Sequence, residues 1–230
     1  MTGPVPRPSP RAVVLDLDGT LVDSLDDIAD AMNAILREAG MPTHDVDDYR
    51  RFVGHGLAAL VRRAMAPDGD HDVLLAAARR RYAEHCLDST RPYAGIPEML
   101  AALQADGLAL AVLSNKPHAM TERVVQALFG NVDFRFVLGD QPDRPRKPDP
   151  AGARLVAERL GVPADHCWLV GDSAVDLQTA RAANMVGIGV TWGFRSADEL
   201  RAASPAALVD TPQELAALVR QSLAGARTGR

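Results

Sequence analysis

The chain has 230 residues, 47% of them hydrophobic, which is enough for a sizeable core and marks it as globular. Its formal charge is -5 with lysines and arginines dispersed, which excludes a polycationic face for nucleic acid, and no run approaches the ~18 apolar residues of a membrane span. Residues 1–10 have no apolar signal core, so a cytoplasmic protein with a small-molecule ligand is expected, as a monomer or homodimer.

Residues 1–10 are proline-rich and read as a flexible arm. Ala12 to Leu15 is a short buried strand that ends in Asp16-Leu-Asp-Gly-Thr20. Two carboxylates two residues apart at a strand end point the same way and repel each other. A divalent cation between them, or a proton on one of them, relieves the repulsion. A solvated turn is the plainer alternative.

Helical patterns follow from about Ser24 to Ala39, Asp45 to Phe52, Leu57 to Met65 and Val73 to Leu87, so residues 23–91 read as an all-helical insert. Arg62-Arg63 and Arg79-Arg80-Arg81 fall on solvated helix faces within it. From Arg91-Pro-Tyr-Ala-Gly95 the chain alternates as a parallel sheet requires. Strands are expected at Leu108 to Leu113, Phe134 to Leu138, Cys167 to Val170, Val186 to Val190 and Ala207 to Val209. Helices are expected at about 97–105, 117–129, 150–160, 174–183, 197–202 and 212–223, with a disordered tail over 225–230. Cys86 and Cys167 lie far apart with no Cys-x-x-Cys, which indicates neither a zinc site nor a disulfide framework.

Ligands of open α/β sheets bind beyond the carboxyl ends of the strands. The polar motifs fall there: Asp16 and Asp18 after the first strand, Ser114 and Asn115 after the second, Asp140 and then Lys147 after the third, Asp172 after the fourth. Ser114-Asn115 can also be read as a helix cap and Lys147 as an exposed loop cation. Their convergence favours a functional cluster.

Asp16-Leu-Asp-Gly-Thr-Leu-Val-Asp-Ser24, Ser114-Asn-Lys116, Lys147-Pro-Asp-Pro150 and Gly171-Asp-Ser-Ala-Val-Asp176 resemble, in order, the motifs of haloacid dehalogenase-like phosphatases. The resemblance runs from about Arg11 to the last helix. It implies a Rossmann-like parallel sheet core (11–22 and 92–224) with an inserted helical cap (23–91). It also implies a carboxylate nucleophile, Asp16, and an acid and base, Asp18, although spacing alone would let both be ligands. A magnesium ion is then expected on Asp16, the Asp18 carbonyl and Asp172, with Asp176 holding the shell through water or positioning Lys147. Lys147, the Ser114 hydroxyl and the backbone near Gly19, Thr20 and Asn115 would hold phosphoryl oxygens.

Within the insert, Arg51-Phe-Val-Gly-His-Gly56 breaks the helical run with two glycines. Family members with a helical cap place a substrate-contacting loop here, so Arg51, Gly54, His55 and Gly56 are specificity candidates, against a plain glycine turn. The string is no dinucleotide fingerprint, because Tyr49-Arg-Arg-Phe52 before it is no buried strand. Val53-Gly-His-Gly56, Ser114-Asn-Lys-Pro117, Gly139-Asp140 and Val190-Thr-Trp-Gly-Phe194 are most similar to phosphoglycolate phosphatases. The proline-rich Gln141 to Arg146 departs from that pattern.

A serine hydrolase is excluded, since Gly171-Asp-Ser-Ala lacks the second glycine of the nucleophile elbow and no histidine follows His166. A sugar phosphate or pyrophosphate hydrolase of the same family, a phosphosugar mutase, and a signalling module that keeps phosphate on an aspartate remain as alternatives; release of free phosphate separates the last two from a phosphatase.

Overall fold

The computed structural model describes residues 8–67 and 69–228. Strand β1 (Ala12–Leu15) leads through a turn into β2 (Val22–Asp23), which pairs antiparallel with β3 (Arg91–Pro92). Helices α1 (Leu25–Glu38), α2 (Val46–Phe52), α3 (Leu57–Ala64) and α4 (His71–His85) lie between β2 and β3. Periodicity does not reveal this ribbon, because two residues cannot establish an alternation.

Then come α5 (Ile96–Ala105), β4 (Ala109–Pro117), α6 (His118–Phe129), β5 (Phe134–Asp140) and α7 (Ala151–Leu160). The chain ends with β6 (Cys167–Gly171), α8 (Ala174–Ala183), β7 (Val186–Val190), α9 (Ala197–Ala202), β8 (Ala207–Val209) and α10 (Pro212–Thr228). No helix among the described residues is long and apolar enough to cross a membrane.

Strands β5-β4-β1-β6-β7-β8 form one six-stranded sheet with every pair parallel. Its strands are near-continuous apolar runs because helices cover both faces. Val13 and Leu15 face one core with Leu110, Val112, Trp168 and Val170, packed by α5, α6 and α10. Ala12 and Val14 face the other with Ala111, Leu113, Cys167 and Leu169, packed by α7 and α8. This is the two-residue alternation of a pleated strand. Strand β1 sits where the strand order reverses, between β4 and β6, so its carboxyl end opens on the crevice where α/β sheets bind ligands.

The insert shares the first core through Ile28, Met32, Tyr49, Leu60 and Tyr82. Its two ends are fastened together by Asp27 of α1, a buried carboxylate that accepts from Ser89 N (2.7 Å), Thr90 N (2.9 Å) and Thr90 Oγ1 (2.6 Å).

Some boundaries differ from the sequence pattern. Strand β4 runs on through Ser114-Asn-Lys116, and Pro117 pairs with Asp140 after a register shift. The expected flexible arm falls mainly on residues 1–7, outside the described residues. Pro8 and Ser9 are held: Trp168 Nε1 donates to Pro8 O (3.1 Å) and Ser9 Oγ to Ser222 O (2.6 Å). Helix α10 continues to Thr228, so the described part of the tail is helical.

Asp27→Ala leaves three donors without their acceptor, at a cost of about 2–4 kcal/mol. The melting temperature is expected to fall by roughly 5–15 °C for a chain of this size. A change under about 2 °C by calorimetry would show that the clasp contributes little.

Candidate active site

Backbone pairing fixes where β1 delivers its acids. Asp16 N donates to Val170 O of β6 (3.0 Å), and Asp16 Oδ1 accepts from Leu17 N (2.7 Å). Lys147 Nζ lies 2.9 Å from Asp16 Oδ1 and 2.6 Å from Asp176 Oδ1, and also donates to Leu113 O at 2.9 Å. Asp172, just past β6, accepts from Phe194 N through Oδ2 (2.8 Å), and Asp176 Oδ2 accepts from Ser173 Oγ (2.6 Å). Carboxylate oxygens of Asp16, Asp172 and Asp176 all lie within 4.8 Å of one another.

This close approach requires glycine at two positions. Gly19 has φ 84°, and a Cβ there would sit 2.3 Å from Asp172 Oδ2. A Cβ on Gly193 would sit 2.2 Å from Gly19 O and 2.3 Å from Asp172 Cβ.

Three carboxylates lie close together in a buried site, and one ammonium pairs with two of them, Asp16 and Asp176. Burial pushes Asp16 up to about 7; the Lys147 ammonium opposes this and the Asp176 charge adds to it. Burial likewise pushes Asp172 up to about 8, with the Asp176 and Asp16 charges adding. Burial would lower Lys147, but Asp16 and Asp176 outweigh it and hold the lysine above its ordinary value. Hard oxygen donors in this arrangement fit a divalent cation, which would supply the missing positive charge.

Asp18 stands apart from that trio. Its Oδ1 accepts from Ser24 Oγ (2.7 Å) and Lys116 Nζ (2.9 Å), and its side chain is not part of the Asp16, Asp172 and Asp176 group. Asp16 and Asp18 each keep 13% of their side chains exposed, and both line a cavity between the strand ends and the insert, with Ser114, Asn115 and Asp172. Thr20 is fully buried with no hydrogen-bond partner for Oγ1, and its side chain does not line that cavity.

Asn115 does more than its place in the Ser114-Asn-Lys motif suggests. Its Nδ2 donates to Gly54 O (2.9 Å) of the insert and Lys147 O (3.0 Å), while Oδ1 accepts from Lys147 N (2.9 Å). It therefore clamps the lysine loop, and Arg146 Nε pairs with Asp140 Oδ1 (2.8 Å) at the base of the proline-rich segment. The unusual loop still brings Lys147 Nζ to Asp16.

Of the insert residues, Gly54 and Gly56 line the cavity that holds Asp16, whereas Arg51 and His55 line a second, outer one with Arg50, Arg63 and Arg195. His55 is held below its ordinary pKa by burial, then by Arg63 and Arg195. Arg195 donates to Val53 O (2.7 Å) and to Arg50 O, tying the same loop to the core. Sequence reasoning missed Arg195, Lys116 and Tyr82 as cavity residues. Lys116 stood inside a quoted motif, but nothing in a sequence separates a buried lysine from a solvated one.

A family model described as a haloacid dehalogenase-like hydrolase matches residues 10–184. A phosphoglycolate phosphatase from Pseudomonas syringae pv. tomato is 36% identical over 214 residues, 90% of this chain and 78% of the relative. One from Rhodospirillum rubrum is 37% identical over 195 residues, 80% of this chain and 81% of the relative. A crystal structure from Lactobacillus delbrueckii subsp. bulgaricus, provisionally named phosphoglycolate phosphatase, superposes with a TM-score of 0.83. It is 32% identical and covers 92% of this chain and 98% of its own.

Raised carboxylate pKa values make stability fall with pH in the absence of metal. The folded chain holds protons on Asp16 and Asp172 that the unfolded chain has released above its value of 3.8. Their contribution is full below about pH 4 and is lost as pH rises through about 7 to 8. Asp172→Asn keeps an acceptor for the Phe194 amide and removes one charge. At pH 8 in chelator it is expected to melt a few degrees above wild type. Melting at or below wild type would show that the acid cluster is not under electrostatic stress.

Proposed function

The chain belongs to the haloacid dehalogenase-like hydrolases, and from that membership we propose that it is a magnesium-dependent phosphomonoesterase acting on 2-phosphoglycolate, releasing glycolate and phosphate. The observation that carries this reading is the placement of Asp16: its carboxylate is partly open to the cavity, 2.9 Å from Lys147 and within reach of Asp172.

In this reading Asp16 is the nucleophile. Its carboxylate oxygen attacks phosphorus, the bond to the leaving oxygen breaks, and Asp18 gives that oxygen a proton. The resulting aspartyl-phosphate is then hydrolysed by a water that Asp18 deprotonates. Lys147 balances charge on Asp16 and on the phosphoryl oxygens, and Asp176 fixes the lysine through its 2.6 Å contact. Ser114 and the backbone at Asn115, which line the cavity, direct donors toward the same oxygens, whereas the Gly19 and Thr20 amides expected to join them donate to Val22 O (2.9 Å) and Leu17 O (3.2 Å) within the turn. Magnesium held by Asp16, Asp172 and the Asp18 carbonyl would offset the negative charge gathered there.

Residues 23–91 act as a cap over the core formed by 11–22 and 92–224. Gly54 and Gly56 let the cap loop approach closely, and Arg51 and His55 in the outer cavity meet the anionic substrate on its approach. The cap keeps bulk water from the phosphoenzyme.

Phosphate release from a panel of phosphorylated metabolites, with and without magnesium, tests the proposal. 2-Phosphoglycolate is expected to be the preferred substrate, with activity abolished by chelator. Asp16→Asn is expected to lower turnover on the order of 10³-fold or more, with an unchanged circular dichroism spectrum. Near-normal turnover in that variant would remove Asp16 as nucleophile, and an isomerised sugar phosphate in place of free phosphate would indicate a mutase.

A further inference from the structure

Phosphoryl chemistry at this site uses Lys147, yet the lysine that lines the cavity is another, Lys116. Lys116, at the carboxyl end of β4, has a side chain only 1% exposed. Its Nζ donates to Asp18 Oδ1 at 2.9 Å and to the Tyr82 hydroxyl, and lies 4.4 Å from the centroid of the Tyr82 ring. Tyr82 is delivered by α4 of the insert, so the two sides of the cavity meet at this ammonium. Burial alone would favour the neutral amine, but the Asp18 charge and the Tyr82 oxygen outweigh it and keep the pKa above its ordinary value. Ser24 donates to the same Asp18 oxygen, so Asp18 keeps a directed donor when Lys116 engages another anion.

The surroundings suit one end of a small substrate. Ile28, Leu57 and Leu60 give this cavity apolar walls; of its two cations, Arg195 is engaged by the carbonyls of Arg50 and Val53, and Lys116 is the one beside Asp18. In the proposed reaction Asp18 meets the leaving oxygen. The carbon bearing that oxygen in a phosphorylated 2-hydroxy acid also bears the carboxylate. A group bonded there falls beside the neighbour of Asp18, and that neighbour is Lys116.

We propose that Lys116, braced by the hydroxyl and ring face of Tyr82, seats the carboxylate of the substrate and sets the preference for a phosphorylated hydroxy acid over a neutral ester. The assignment rests on the phosphomonoesterase reading of the same site. It places specificity in a core lysine and a helix of the insert, instead of in Arg51 and His55 of the outer cavity. A charge-assisted hydrogen bond from a buried ammonium gives discrimination on the order of 10- to 100-fold.

The test compares kcat/KM for 2-phosphoglycolate and 2-hydroxyethyl phosphate, which has the same length but a neutral end. Wild type is expected to favour the acid. Lys116→Met is expected to reduce that ratio by about 10- to 100-fold, chiefly through KM for the acid, while any loss from the Asp18 contact falls on both esters. Lys116→Arg is expected to restore part of the ratio, and Tyr82→Phe, which keeps the ring, to reduce it several-fold. If Lys116→Met does not fold, the Tyr82→Phe ratio decides. A ratio unmoved in these variants of an active enzyme overturns this proposal alone. A wild-type enzyme that releases phosphate from neither ester overturns the phosphomonoesterase reading as well.

Discussion

Three carboxylates crowded together at the end of β1, with one lysine paired to two of them, set the terms for everything near them. Burial and like charges this close are costly, and the raised pKa values of Asp16 and Asp172 express that cost. The fold sustains it by geometry. Parallel pairing of β1 with β4 and β6 brings three strand ends together, and Gly19 and Gly193 remove the Cβ atoms that would push Asp172 aside. Lys147 touches Asp16, Asp176 and a backbone carbonyl, so its three donors are all engaged before any phosphate arrives. A divalent cation suits such a site because it relieves repulsion that the protein alone only partly balances.

The insert is joined to this centre by polar contacts. Asn115 reaches Gly54 O while gripping the backbone of Lys147, so one amide links the insert loop to the lysine. Arg195 follows Phe194, whose amide holds Asp172, and its guanidinium reaches carbonyls of the same insert loop. Tyr82 meets Lys116, which meets Asp18. Each contact runs from an insert residue to a neighbour of a proposed catalytic group, so the position of the insert and the order of the site are coupled in space.

Much of this was legible in the sequence because it rests on local rules. The run from Ala12 to Leu15, the strand-helix alternation after Arg91 and the placement of Asp16, Asp172 and Lys147 after strands follow from periodicity and from where α/β sheets bind ligands. The ribbon of β2 and β3 was not legible, because it is too short for a period and joins residues far apart in sequence. Lys116 and Tyr82 stayed hidden for a related reason: a lysine and a helical tyrosine are ordinary surface residues until tertiary packing buries them together. Asn115 was located, but a sequence does not say that its side chain would be spent on two loops.

Every proposed step depends on Asp16 accepting the phosphoryl group. Borohydride reduction of enzyme quenched during turnover of 2-phosphoglycolate converts an aspartyl-phosphate to homoserine, which peptide mass spectrometry locates. Homoserine is expected at position 16. Homoserine at position 18 or 172, or at no carboxylate while phosphate is being released, would contradict it.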